Sequence, residues 1–426
     1  MRKMTPSQWR RCLEQNGLRN EFSHLYPGSN REQTGRYSAL LRSFSARFGE
    51  KEVSLFSAPG RTELCGNHTD HQHGRVLAAA VNRDIIAAAA PRTDGRAVLL
   101  SQGFGETAIE VFNHAVHPEE AGTAGALLRG MAAGYAQNGY AIGGFEAVVS
   151  SGVPAGSGLS SSAALEVLIG ALFNCLYNRG EIAPLETAKL AQRAENIYFG
   201  KPCGLMDPCA CALGGAVAMD FANPAEPEIQ AIPCDFAGMG YALFVVNAGG
   251  SHAGLTGEYA AIPLEMRSVA AQFGKDFLAQ VDELAFWAAL PGLRGKVPDR
   301  ALLRAMHFFD ETRRVGRAAD ALAKGDGPAY RTVMAESGRS SAELLQNIYP
   351  CDCGGERSVA LALALSAGLL GDCGGAWRVH GGGFAGTVQA LVPLGERERY
   401  QKEMDAAFGE GASMELRVRP AGGWVM

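Results

Sequence analysis

Gly152-Val153-Pro154-Ala155-Gly156-Ser157-Gly158-Leu159-Ser160-Ser161-Ser162-Ala163-Ala164 runs straight from a strand pattern into a helix pattern. Phe145–Val149 before it reads as a strand, and the apolar run Ala163–Leu176 after it reads as a buried helix of about four turns. Glycines permit positive φ and let another group approach the backbone. Serines at a helix start supply caps and hydroxyls. Successive backbone N–H groups at a helix N-terminus form an anion site, and a phosphate is its natural occupant. No Gly-Lys-Ser/Thr follows, so this is not a Walker A, and the spacing is not that of a Rossmann turn. Read alone, the stretch also fits an ordinary serine-capped glycine turn.

Three further segments narrow the choice. They are Ser57-Ala58-Pro59-Gly60-Arg61-Thr62-Glu63-Leu64-Cys65-Gly66-Asn67-His68-Thr69-Asp70, Gly200-Lys201-Pro202-Cys203-Gly204-Leu205-Met206-Asp207, and Val379-His380-Gly381-Gly382-Gly383-Phe384-Ala385-Gly386-Thr387-Val388. In order and spacing, these and the serine loop resemble the motifs of the GHMP kinase superfamily. The first resembles the galactokinase signature in particular, an Ala-Pro-Gly-Arg run followed by Gly-x-His-Thr-Asp. The resemblance runs from about Phe48 to about Pro393. It implies an α+β fold of two lobes with the active site in the cleft between them. The expected division is a helical N-terminal extension over 1–47, an N-terminal kinase domain over 48–220 and a C-terminal domain over 221–426.

Bulk properties agree with a globular protein. A chain of 426 residues is long enough for two domains. It is 47% hydrophobic and 19% charged, with a formal net charge of −5, so nothing in it favours nucleic acid as a partner. No apolar run reaches the roughly 18 residues of a membrane span. The N-terminus, Met1-Arg2-Lys3-Met4-Thr5, has no hydrophobic export segment, which points to the cytoplasm. A monomer is expected. The ten cysteines read as reduced and mostly buried. Cys209/Cys211 and Cys351/Cys353 are each separated by one residue, closer than zinc sites prefer.

Residues 1–47 are polar with a helical apolar pattern that includes Leu13, Phe22, Leu25, Leu40, Leu41 and Phe44. Strands are expected at Glu52–Ser57, Val76–Ala90 and Ala97–Gln102, with Pro91-Arg-Thr-Asp-Gly95 as a hairpin turn. Helices are expected over Thr123–Asn138 and Leu185–Phe199, and long ones over Glu258–Gly274, Arg300–Lys324 and Gly327–Asn347. Tyr241–Asn247 opens the second half as a strand, and strands close the chain around Trp377–His380, Gly386–Val392 and Ser413–Val418.

Phosphoryl transfer needs a phosphate cradle, a metal, a positive clamp and a group that orients the nucleophile. The cradle is the backbone of Gly156, Ser157, Gly158, Leu159, Ser160, Ser161 and Ser162. The cofactors implied are ATP and Mg²⁺, a hard cation that takes few protein oxygens. The resemblance assigns it Ser162 and Glu195. Asp207 sits in an apolar stretch, so its carboxylate must be paired or must cap a helix. The resemblance makes Asp207 the catalytic carboxylate and Arg61 its partner, a residue that keeps it ionised and neutralises the transferring phosphoryl group. Asn67, His68, Asp70, Gly204 and Tyr259 correspond to the sugar side, and Gly381, Gly382, Gly383 and Gly386 to a structural loop facing the phosphate loop.

Several positions depart from the galactokinase pattern. Asn67 stands where that family carries Glu, Thr62-Glu63 replaces Val-Asn, His71-Gln72 replaces Tyr-Asn, and Pro208 follows Asp207 in place of Gln. Ile262-Pro263-Leu264 stands where arginines follow Tyr259. Apart from Pro208, which bears on the local turn, these changes read as sugar-side changes, so the acceptor expected is galactose or a related sugar. His68, His71 and His73 with Asp70 also have the composition of a transition-metal site. A non-catalytic sugar sensor or a kinase for another small alcohol are the rival functions. The unbroken serine loop argues against the first, and the His68-Thr69-Asp70 run against the second.

Overall fold

The computed structural model describes residues 1–27, 30–154, 156–250, 255–351 and 355–426. Strand β1 (Ser54–Cys65) is buried at every position, and β2 (Arg75–Arg92) along most of its length. Strands covered on both faces read as continuous apolar runs, which is the pattern of Val76–Val81 and Ile85–Ala90. The chain continues through β3 (Arg96–Ser101), β4 (Gly105–Glu110), β5 (Gly144–Ser151), β6 (Ala216–Asp220) and β7 (Glu228–Ile232). It then forms β8 (Tyr241–Gly249), β9 (Ala376–Val379), β10 (Gly386–Pro393), β11 (Ser413–Leu416) and β12 (Trp424–Val425).

Among the described residues, eight strands form one sheet in the order β12-β1-β2-β5-β3-β4, with β6 beside β2 and β7 beyond it. The second sheet has the order β11-β8-β10-β9. The chain leaves the first sheet after Ile232 and enters the second at Tyr241, later than residue 220, and its last strand returns to β1. Two local expectations are corrected. β1 does not stop at Ser57; it passes through Pro59 with a register shift and carries Arg61 itself. Residues 91–95 do not close a hairpin, because β5 lies between β2 and β3, antiparallel to one and parallel to the other.

Helices cover both faces of the first sheet. On one face lie α1 (Pro6–Glu14), α2 (Arg19–Leu25) and α3 (Asn30–Phe48). Trp9, Phe22 and Phe44 pack there with Leu55, Ile86, Ala88 and Val148. On the other face, α4 (Ala124–Gln137), α5 (Ser161–Tyr177), α6 (Pro184–Ala194) and α7 (Met206–Leu213) pack with Phe56, Ala87, Ala147 and Val149. Alternate residues of each strand therefore serve opposite layers, and the N-terminal helices form one of those layers. The second half contributes α8 (Thr256–Ala271), α9 (Glu283–Leu293), α10 (Asp299–Ala323), α11 (Gly327–Ser340), α12 (Ser358–Leu370) and α13 (Arg397–Phe408). α8, α9 and α10 share one apolar core, and α12 and α13 pack on the second sheet.

Candidate active site

The serine loop feeds α5 as the sequence pattern requires, but its hydroxyls are not spent on capping. Ser160 occupies the N-cap in a left-handed conformation, φ 59°, and makes no side-chain cap bond. A non-glycine residue there costs about 1–3 kcal/mol, and the geometry it maintains is specific. Its Oγ donates to Oδ2 of Asp207. Ser161 opens α5, and Ser162 Oγ donates to Oε1 of Glu195 at 2.9 Å. The helix-start N–H groups thus face out of the N-terminus, with the macrodipole behind them. Gly156 and Gly158 both have positive φ. Ser157 ties the loop down through a 2.7 Å bond to the Pro154 carbonyl, and the buried Leu159 accepts the Arg61 N–H at 3.0 Å.

Arg61 joins this loop to Asp207. Its Nε and Nη2 donate to Oδ1 and Oδ2 of Asp207, both at 2.5 Å, and its Nη1 donates to the Gly158 carbonyl. Burial alone would raise the Asp207 carboxyl, but the Arg61 guanidinium outweighs it and holds the group below the usual carboxylate range. Asp207 is the second residue of α7, with Pro208 in the helix's first turn.

Asp70 lies on the same side of the cleft. Its Oδ1 accepts the His71 N–H at 2.9 Å, and a Cβ on Gly204 would overlap its Oδ2, so a larger residue there would push the Asp70 carboxylate aside. Burial and the Asp207 charge push Asp70 up to about 6. The neighbouring His68 is lowered by burial, and it donates from Nε2 to the Gly382 carbonyl at 2.9 Å. Tyr259 donates to the Gly383 carbonyl at 2.9 Å, and Asn67 to the Gly381 carbonyl at 2.6 Å. Three successive carbonyls of the glycine loop therefore hold Asn67, His68 and Tyr259, the residues expected on the sugar side, in position. Gly386 starts β10 with a register shift against β8. The loop's flanks reach the phosphate side, where a Cβ on Gly158 would meet Thr387 Oγ1 and His380 Nδ1.

Asn67 itself is fully buried. Its Nδ2 also lies 3.2 Å from each oxygen of Glu63, and its Oδ1 accepts from Asn347 at 2.9 Å. The geometry thus gives Asn67 protein partners on both ends of its amide. Glu63 in turn forms a buried ion pair with Arg378. His307 and Glu311, one turn apart on α10, fix the backbone of the same loop. His307 Nε2 donates to the Asn67 carbonyl at 2.9 Å, and Glu311 Oε1 accepts the Gly66 N–H at 3.1 Å. Sequence reasoning named none of Arg378, His307, Glu311 or Asn347 as site residues; the partner that ties each to this loop is remote in the chain.

Not every departure lines the site. Ile262 is buried in the core of α8, α9 and α10, while Leu264 is exposed. The histidines do not converge: His71 faces His68 at 3.3 Å, whereas His73 stacks on Phe277. Cys209 and Cys211 are buried in the first core, and Cys353 lies outside the described residues.

A hard divalent cation suits the donor set beneath the loop. Glu195 sits in the single π-turn that extends α6, Glu195–Phe199, the kind of irregularity that re-aims a side chain. Its Oε1 lies 2.9 Å from Ser162 Oγ and 3.0 Å from Lys201 Nζ. All of these except Lys201 are oxygen donors. Among the described residues no three His, Cys, Asp or Glu side chains cluster closely enough to hold an ion by themselves.

Residues 42–91 match the family model described as the galactokinase galactose-binding signature, and residues 125–215 match the GHMP kinases N terminal domain. A galactokinase of Streptomyces coelicolor is 32% identical over 378 residues, 88% of this chain and 94% of that protein. The crystal structure of Lactococcus lactis galactokinase complexed with galactose superposes with a TM-score of 0.77 at 25% identity, covering 91% of this chain and 99% of that one. Methanococcus jannaschii mevalonate kinase shares the fold at a TM-score of 0.60 and 15% identity, over 85% of this chain and 98% of its own. With the Streptomyces coelicolor galactokinase matching 88% of the chain at 32% identity, and with both motif-bearing segments matched, the chain belongs to the galactokinase family of the GHMP kinases.

Proposed function

We propose that this protein transfers the γ-phosphoryl group of ATP to the anomeric hydroxyl of galactose or a closely related sugar. The observation that carries the reading is the Arg61 junction. One guanidinium grips Asp207 at 2.5 Å and also bonds the phosphate loop at Gly158, so acceptor and donor sides share one rigid contact. Arg61 is oriented to neutralise charge on the transferring group. Asp207, ionised and weakly basic beside Arg61, orients the hydroxyl and takes its proton late, as a loose phosphoryl-transfer transition state requires. Asp70 and His68 select the sugar's hydroxyl pattern, because a mismatched analogue leaves them unpaired. Ser162 and Glu195 would hold Mg²⁺, which would supply charge neutralisation to the transferring phosphate. The test is Asp207→Asn. ADP release should fall by about 10²-fold or more with ATP affinity retained. Turnover near that of the unaltered protein contradicts the assignment.

A further inference from the structure

Glu166 lies one helical turn after Ser162 on α5, and positions four apart share a helix face. Its side chain is fully buried, with neither carboxylate oxygen hydrogen-bonded among the described residues. A buried carboxylate without partners is costly, and native structures retain one where something else completes it. Burial and the nearby Glu195 charge push Glu166 up to about 10, with Lys201 opposing them. Glu195, the residue that perturbs it, accepts from Ser162 at 2.9 Å. None of the hydrogen bonds of the Arg61 junction or of the glycine loop reaches Glu166. We propose that Glu166 is a further acidic group of the divalent-cation site, an oxygen donor behind Ser162 and Glu195 that meets the ion directly or through one of its waters. This inference rests on the reading of Ser162 and Glu195 as cation ligands.

Mn²⁺ is the probe, titrated into protein saturated with ADP and followed by the electron paramagnetic resonance of the free ion. Glu166→Gln keeps shape and removes the group that can ionise against the cation. The expected result is Mn²⁺ binding weakened by about 10- to 100-fold, with the melting temperature of the unliganded protein unchanged or raised. Glu195→Gln serves as the reference. If it weakens Mn²⁺ binding and Glu166→Gln does not, the inference fails and the parent reading stands; if neither does, both fail. Should the Gln variant not fold, crystals of the unaltered protein grown with Mn²⁺ and ADP decide. An anomalous peak in contact with Glu166, at about 2.1 Å or through one shared water, supports the inference. A peak farther away overturns it.

Discussion

Asp70 and Asp207 share one cleft, yet their environments displace them in opposite directions. Arg61 holds Asp207 ionised, while burial and the Asp207 charge leave Asp70 poised at about 6. In the unliganded protein, Asp70 binds its proton more tightly than in the unfolded chain, where the reference value is 3.8. Its contribution to stability is therefore present below about pH 4 and is lost as pH rises through about 6. The ionised form is the better acceptor for sugar hydroxyls. The KM for the sugar should accordingly fall between pH 5 and 7, and Asp70→Asn should abolish that inflection; an unchanged profile in the variant would assign the titration elsewhere. Glu63 and Asn67 are a second residue-scale case. They hold the family's Asn and Glu in exchanged order, and here they touch at 3.2 Å. Asn67→Glu alone places two carboxylates together and should lower the melting temperature. Adding Glu63→Asn should recover much of the loss, with a coupling of about 0.5–3 kcal/mol. Strict additivity in a double-mutant cycle would rule this out. Arg61, Asp70 and Asp207 were legible because each sits inside a contiguous motif. The Glu63–Arg378 pair was not, because it forms only when β1 meets β9.

At the scale of elements, the N-terminal helices are bolted to the first sheet by one carboxylate. Asp84 on β2 receives Tyr26 from the end of α2, Ser57 from β1, Arg36 of α3 at 2.9 Å and Arg419 of the C-terminal segment at 3.1 Å. Burial alone would raise Asp84, and the two arginines hold it below its usual value. Asp84→Asn leaves Arg419 buried without its counter-charge. The expected loss is about 3–5 kcal/mol in urea unfolding, and a loss below 1 kcal/mol would mean the network is not a fixture of the fold. The helical character of 1–47 was legible from its apolar spacing; its service as a layer of the core was not, since that depends on which face of the sheet is left uncovered. α12, Ser358–Leu370, escaped notice because Ala and Leu alternate through it without a polar face. α9 was masked by Pro291 inside it. The false hairpin at 91–95 followed from local turn chemistry, whereas β5, far along the chain, takes the place between the two strands.

Across the whole molecule, the two sheets meet through side chains that the motifs carry. Thr62 of β1 lies 2.9 Å from His380 Nε2 and accepts from Gln389 of β10 at 2.7 Å. His68 and Asn67 hold the glycine loop of the second half. The cleft is therefore assembled from both halves. The most direct test is coupled ADP release by the purified protein over a panel of aldoses, followed by phosphorus NMR of the product. The expected result is ADP release only with a sugar whose anomeric hydroxyl is free, fastest with galactose or a close relative, and a product whose phosphorus couples to H1. Release that persists with the 1-O-methyl glycoside, or that no aldose stimulates, would contradict it.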